Sequence, residues 1–194
     1  NKNGNQYLSF MKKLSLFTVA LFFSIGGGGV YAQGAFVHPG LLHSQNDFDQ
    51  IKKRLAEHDT QTLQAFEVLK NSWVANKAVN DIWGVTEYIK RGIAGDENYM
   101  NAYRNAAKAY QCALLWKITG EAQWAERAVY VLNQYVAITK GIGGTTNQSL
   151  VPGFIGYQFL NSDELMRDYV EWEKGDLERF QQWMIDVSFP SVPV

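Results

Sequence analysis

The stretch that decides the fold runs from Asp96 to Lys140, DENYMNAYRNAAKAYQCALLWKITG-EAQWAERAVYVLNQYVAITK. Its first part, Asp96 to Thr119, contains no Gly or Pro and is rich in Ala, the residue that loses least on entering a helix. Gly120 then supplies a position where the chain can turn left-handed at low steric cost and end the helix. Glu121 to Lys140 follows at once. Its Trp124, Ala128, Val131, Tyr135 and Ile138 recur every three or four positions, which marks one buried stripe. So short a connection forces the two rods antiparallel, giving an αα-hairpin.

The same reading extends outward. Upstream, Ser44 with Asp47 three positions on makes a partial capping box, and Phe48, Ile51 and Leu55 follow one helical face. A second helix is expected from about Thr60 to Lys77, with Leu63, Phe66, Leu69 and Trp73 at helical spacing. Residues 78–97 are punctuated by Gly84, Gly92 and Gly95 and read as a loop with one short helical turn around Thr86 to Lys90. Downstream, Gly141 to Ser149 reads as a flexible loop, Pro152 to Trp172 as a helix, and Asp176 to Val187 as a last helix stopped by Pro190 and Pro193. No stretch sustains period-two alternation, so no strand is expected. The fold class is all-α: stacked antiparallel helical hairpins, each burying its apolar face against the next. Stacking of this kind closes a superhelical solenoid or an (α/α) toroid. No strict TPR-like repeat of roughly 34 residues is present, which weakens the solenoid.

The N-terminus is of another kind. Met11-Lys12-Lys13 forms a basic start, Leu14 to Ile25 a largely apolar run of 12 residues, and Val30-Tyr31-Ala32 a small-residue cleavage site. The run is shorter than the roughly 20 residues a membrane-spanning helix needs. Residues 11–32 are therefore expected to be a signal peptide cleaved after Ala32, with residues 1–10 an upstream extension and 33–194 the mature fold. The expected location is periplasmic or secreted, with no stable membrane anchor after cleavage. Cys112 is the only cysteine, so no disulfide can form within the chain.

Composition narrows the function. The chain has 194 residues, 46% of them apolar, and a formal net charge of −1. Near-neutral charge with no Lys/Arg run gives no electrostatic reason for nucleic-acid binding. Aromatic residues make up 14%, a weak hint of sugar-stacking surfaces. The three His lack zinc-ligand spacing. Gly141-Ile142-Gly143-Gly144 has no following Lys, and no Gly-x-Ser-x-Gly elbow occurs. His38 and His43 flank Pro39-Gly40 and fit a role in fixing the leading segment better than one in holding a ligand.

Two places can carry chemistry. Gln158 and Asn161 lie three apart on one face among apolar neighbours, and buried amides require partners. They either tie their helix to adjacent loops or point into a groove and bind a ligand's hydroxyls or carboxylates. Arg91 and Trp83 sit in the Gly-punctuated stretch. A guanidinium pairs bidentately with a carboxylate and an indole stacks on a sugar, although a surface Arg and an apolar plug fit the same residues. Asp163, Glu164 and Asp168 share one helix and read as ion-pair partners, Arg167 among them.

Three blocks resemble bacterial alginate-lyase-like polysaccharide lyases: His38-Pro39-Gly40-Leu41-Leu42-His43-Ser44; Ala109-Tyr110-Gln111 through Trp116-Lys117-Ile118-Thr119-Gly120; and Gly156-Tyr157-Gln158-Phe159-Leu160-Asn161 with Glu164-Leu165-Met166-Arg167-Asp168-Tyr169. The similarity covers most of residues 36–190. It implies an (α/α) toroid, of which three hairpins would make about half, and β-elimination on a uronate-containing polysaccharide, alginate foremost, without a cofactor or metal. In such a reaction a base takes the C5 proton, an acid protonates the departing O4, and a third group neutralises the carboxylate. The family's Asn-His pair has no counterpart in this chain, and its Tyr and Arg follow further downstream. The resemblance therefore implies an N-terminal portion, truncated before its main catalytic set and inactive alone, with no residue present assigned as catalyst. Gln158, Asn161, Tyr157 and Arg91 are the candidates for substrate contact. Alternatives are a non-catalytic carbohydrate-binding helical protein and a toroid-fold glycoside hydrolase, which needs two carboxylates about 5–10 Å apart across a groove.

Overall fold

The structure is a computed structural model and describes residues 36–191. The signal peptide at 11–32 and the extension at 1–10 lie outside the described residues. Val37 onward forms one compact unit. Its elements in chain order are α1 Gln45–Ala56, α2 Thr60–Lys70, β1 Tyr88–Arg91, α3 Tyr99–Thr119, α4 Ala122–Ile138, β2 Gly141–Gly144, a 3₁₀ turn Thr146–Ser149, α5 Leu150–Met166 and α6 Lys174–Trp183, which runs into a π-helical turn Met184–Ser188. The all-α class holds.

The hairpin at the centre is α3 and α4. Gly120 closes α3 at φ +73°, where its N–H reaches back to the Trp116 carbonyl at 2.7 Å. α3 packs against both α4 and α5. Ala102, Ala106, Ala109 and Ala113 are fully or almost fully buried there, because a methyl lets neighbouring helices approach closely. Tyr135, Phe159, Phe180 and Trp183 join their rings in tilted and edge-to-face pairs and fill the space between α4, α5 and α6.

Three expectations are corrected. First, strands do occur: β1 and β2 pair in parallel, Tyr88 with Gly141 through Arg91 with Gly144. This replaces the helical turn expected around Thr86 to Lys90 and part of the loop expected at 141–149. The cause is topological. A chain that climbs α3 and descends α4 returns to the end it left, so the segments before α3 and before α5 meet side by side in the same sense. Second, α2 stops at Lys70 rather than Lys77. The Ser72 hydroxyl accepts from the N–H groups of Val74 and Ala75 and turns the chain out of the helix. Trp73 is therefore 67% exposed instead of continuing the half-buried stripe of Leu63, Phe66 and Leu69. Third, α5 spans Leu150–Met166, not Pro152 to Trp172. Trp172 lies beyond it, its indole N–H donating to Asn133 Oδ1 at 3.0 Å.

Candidate functional site

α3 organises the site through its polar residues. Asn98, just before its first turn, accepts from Lys90 N at 2.7 Å with its side-chain oxygen and donates to Tyr88 O at 3.0 Å and Thr86 Oγ1 at 3.1 Å. That amide fixes β1 against the start of the helix. Two turns on, Asn105 grips the backbone of Trp83 from both sides, accepting its N–H at 3.0 Å and donating to its carbonyl at 2.9 Å. The fully buried Lys108 donates to the carbonyls of Ala78 at 2.7 Å and Asp81 at 3.0 Å. The segment before α3 is thus pinned along its length to one helix.

This pinning delivers Arg91 to the ends of two helices. Its guanidinium carbon lies 4.8 Å from the ring centre of Tyr99, in the first turn of α3, and 4.7 Å from that of Phe154, in the second turn of α5. Stacking of a cation on two ring faces is favourable in itself. It leaves the guanidinium edge unfilled: Nη1 is buried with no hydrogen-bond partner, and Arg91 makes no ion pair among the described residues. Arg127 and Arg167 also bury an Nε that makes no hydrogen bond, but Arg127 bonds through its other nitrogens and the Arg167 Nε forms an ion pair with Glu164. A buried donor without a partner costs about 1–3 kcal/mol. Arg91, Tyr99, Met100, Tyr103 and Phe154 line an open cavity of 260 Å³, and no carboxylate is among them. The arrangement is a cation set against two rings at the wall of an open cavity, with one guanidinium nitrogen buried and unpaired.

The other candidates occupy different surroundings. Gln158 and Asn161 are each 4% exposed. Their amide nitrogens donate to carbonyls one turn back on α5, Gln158 to Phe154 and Asn161 to Tyr157, both at 2.7 Å. Asn161 Oδ1 accepts from Leu42 N at 3.0 Å. Beside it Glu164 receives His38 Nδ1 at 2.6 Å and Gly40 N at 3.0 Å, and His43 pairs with the Tyr110 hydroxyl. The two histidines thus fix the leading segment. Seven residues of helix, about 10 Å of rise, separate Asn161 from Phe154, so the structure does not bring Arg91 and the amides together. Tyr157 stands between them. It is 48% exposed, three positions beyond Phe154 on the solvent face of α5, and its ring meets that of Tyr110 edge to face.

Sequence reading missed Asn98, Tyr99, Tyr103 and Phe154. Only Asn98 carried a local signal, a capping-type residue just before a helix. The acidic residues at the end of α5 and just beyond it divide their pairing: Glu164 with Arg167 at 3.4 Å, Asp163 with Gln181, and Asp168, past the helix, with Lys117 at 2.7 Å. Burial pushes the Cys112 thiol up to about 12, so it is no nucleophile. No cluster of residues suited to a metal occurs among the described residues.

No curated protein matches the chain. A family model described as "Alginate lyase" matches residues 49–188, most of the chain and all four candidate residues. The chain belongs to the alginate lyase family.

Proposed function

We propose that this is an exported polysaccharide lyase whose substrate is a uronate-containing polysaccharide, alginate foremost, and that the described residues supply part of its binding cleft within an (α/α) toroid. The observation that carries the proposal is Arg91, a guanidinium with a buried, unpaired nitrogen at a cavity walled by rings. A uronate carries both features that such a cavity recognises, a carboxylate for the cation and a pyranose face for the rings. In β-elimination the C5 proton becomes removable once the adjacent carboxylate is neutralised. A fixed guanidinium at that carboxylate stabilises the developing enolate-like charge without reorganising. Tyr157 extends the aromatic wall from Phe154 along α5. Gln158 and Asn161 act in this reading from beneath, holding the backbone of the cleft wall and the leading segment in place rather than touching the sugar at Arg91. The basic start, apolar run and small-residue cleavage site at 11–32 support export to the periplasm or beyond.

Electrophoresis through gels containing alginate, another polyuronate or a neutral glucan tests the binding claim. Retardation by the polyuronates alone is expected. Equal retardation by the glucan, or none by any polyuronate, contradicts it. The family's Asn-His pair has no counterpart in these 194 residues, so by themselves they are expected to release little or no unsaturated, ultraviolet-absorbing product. Robust release would show that the proton-transfer groups lie among them.

A further inference from the structure

The solvent-facing arc of α3 carries a second aromatic cluster. At 100° per residue, Tyr99, Met100, Tyr103, Arg104, Ala107, Tyr110 and Gln111 share one arc, while Ala102, Asn105, Ala106, Lys108, Ala109 and Cys112 share the buried one. α5 and the Arg91 cavity border the arc on the side of Tyr99 and Tyr103. The segment after α2 borders the other side, where Ala65, Val68, Leu69, Asn71, Ser72, Trp73 and Gln111 line an open cavity of 510 Å³. Trp73 stands at its edge, 67% exposed, its ring perpendicular to Trp83 at 5.5 Å. Val68, 76% exposed, lines the same cavity, and exposed apolar groups gathered together and rimmed by polar ones mark contact surfaces.

The rim is polar and cationic. Arg104 lies 5.9 Å from the Trp83 ring centre and forms no ion pair among the described residues. Lys77 lies 5.0 Å from the same ring, its charge shared with Asp81 at 2.7 Å. Gln111 takes the Ser72 hydroxyl on its oxygen, and its amide nitrogen donates no hydrogen bond among the described residues. An exposed indole packed on a second ring that carries an unpaired guanidinium, with a free amide donor on the same cavity, matches a sugar ring bearing a carboxylate and hydroxyls.

We infer that Trp73, Arg104 and Gln111 form a second subsite for the same acidic polysaccharide, engaged by sugar units beyond the one at Arg91. The inference rests on the proposed lyase reading. From Tyr103 to Gln111 is eight residues, about 12 Å along the axis and about 80° around it, and Trp73 lines the same cavity as Gln111. One sugar unit at Arg91 cannot reach it. A chain of several units can, crossing the arc at Ala107, whose methyl leaves the way open.

Calorimetric titration of the chain with an oligouronate disaccharide and hexasaccharide tests this. Trp73→Ala and Arg104→Gln are each expected to weaken hexasaccharide binding about tenfold while leaving the disaccharide unchanged, the signature of a remote second contact. Both side chains reach solvent, and far-ultraviolet circular dichroism verifies that each variant folds. Variants that bind the hexasaccharide as the wild type does, or that lose both lengths equally, overturn the second subsite and leave the Arg91 reading standing. A wild-type chain that binds neither length overturns both.

Discussion

Gly144 lies against the carbonyl of Arg91 so closely that a Cβ built on it would stand 1.8 Å from the oxygen. Its φ of +137° is one that L side chains rarely adopt. The only residue type that fits holds the partner strand beside the backbone of the cationic residue, and Thr145 N donates to that same carbonyl at 3.2 Å. The ribbon thus mounts Arg91, and its buried Ile89, with Ile142 packed beside it, anchors that mount in the core.

Gly144→Ala is therefore expected to separate β2 from β1. The cost should be roughly 1–3 kcal/mol in urea denaturation, accompanied by loss of polyuronate binding. Gly143→Ala is the control, because a Cβ added there would meet nothing within 4 Å. It should be close to neutral on both counts. Equal behaviour of the two variants would show that the ribbon does not position Arg91.

Lys108 holds the segment that leads into the ribbon. Its side chain is fully buried and directs its ammonium at backbone carbonyls of residues 78–81. Lys108→Met keeps most of the volume but leaves those carbonyls without a donor. A loss of about 3 kcal/mol is expected, since hydrogen bonds from a charged donor are the stronger kind. Denaturant titration measures it, and a change under about 0.5 kcal/mol would mean the segment holds itself.

Asp163 makes stability depend on pH. Burial raises its carboxyl from 3.8 to about 6, against the opposing hydrogen bond from Gln181 and the charge of Arg167. The folded chain therefore binds this proton more tightly than the unfolded chain, so stability falls as pH rises from about 4 to about 6 and stays lower above that. Asp163→Asn removes the charge and keeps an oxygen to accept from Gln181. At pH 7 it should stabilise by on the order of 2–3 kcal/mol, and below pH 4 the difference should vanish. Denaturant curves at the two pH values check the sign. A variant less stable than wild type at pH 7 would contradict it.

How much of this was legible in the sequence follows from the range of each interaction. The α3–α4 hairpin was readable because its signals are local: an Ala-rich run, a terminating Gly and a stripe every three or four residues. The ribbon was not. Four residues are too few to display alternation, and β2 offers only Ile142 among glycines. The end of α2 was overrun because Trp73 continues the helical spacing, whereas the Ser72 hydroxyl that breaks it acts through geometry. Arg91 could be singled out as a cation in a Gly-rich stretch. Its cage could not, since Phe154 reaches it from another helix far along the chain. Asn161 illustrates the same limit: its need for a partner was evident, and the partner, Leu42 N, lies near the start of the fold.

The most direct test of the account is calorimetric titration of an oligouronate into Arg91→Met and Arg91→Lys. Methionine keeps contact with Tyr99 and Phe154 and removes a buried donor that has no partner, so that variant should be at least as stable as the wild type. Its affinity for the oligouronate should fall at least about tenfold, and lysine, with charge but no fork, should lie between. A folded Arg91→Met protein that binds the oligouronate as tightly as the wild type would contradict the central claim.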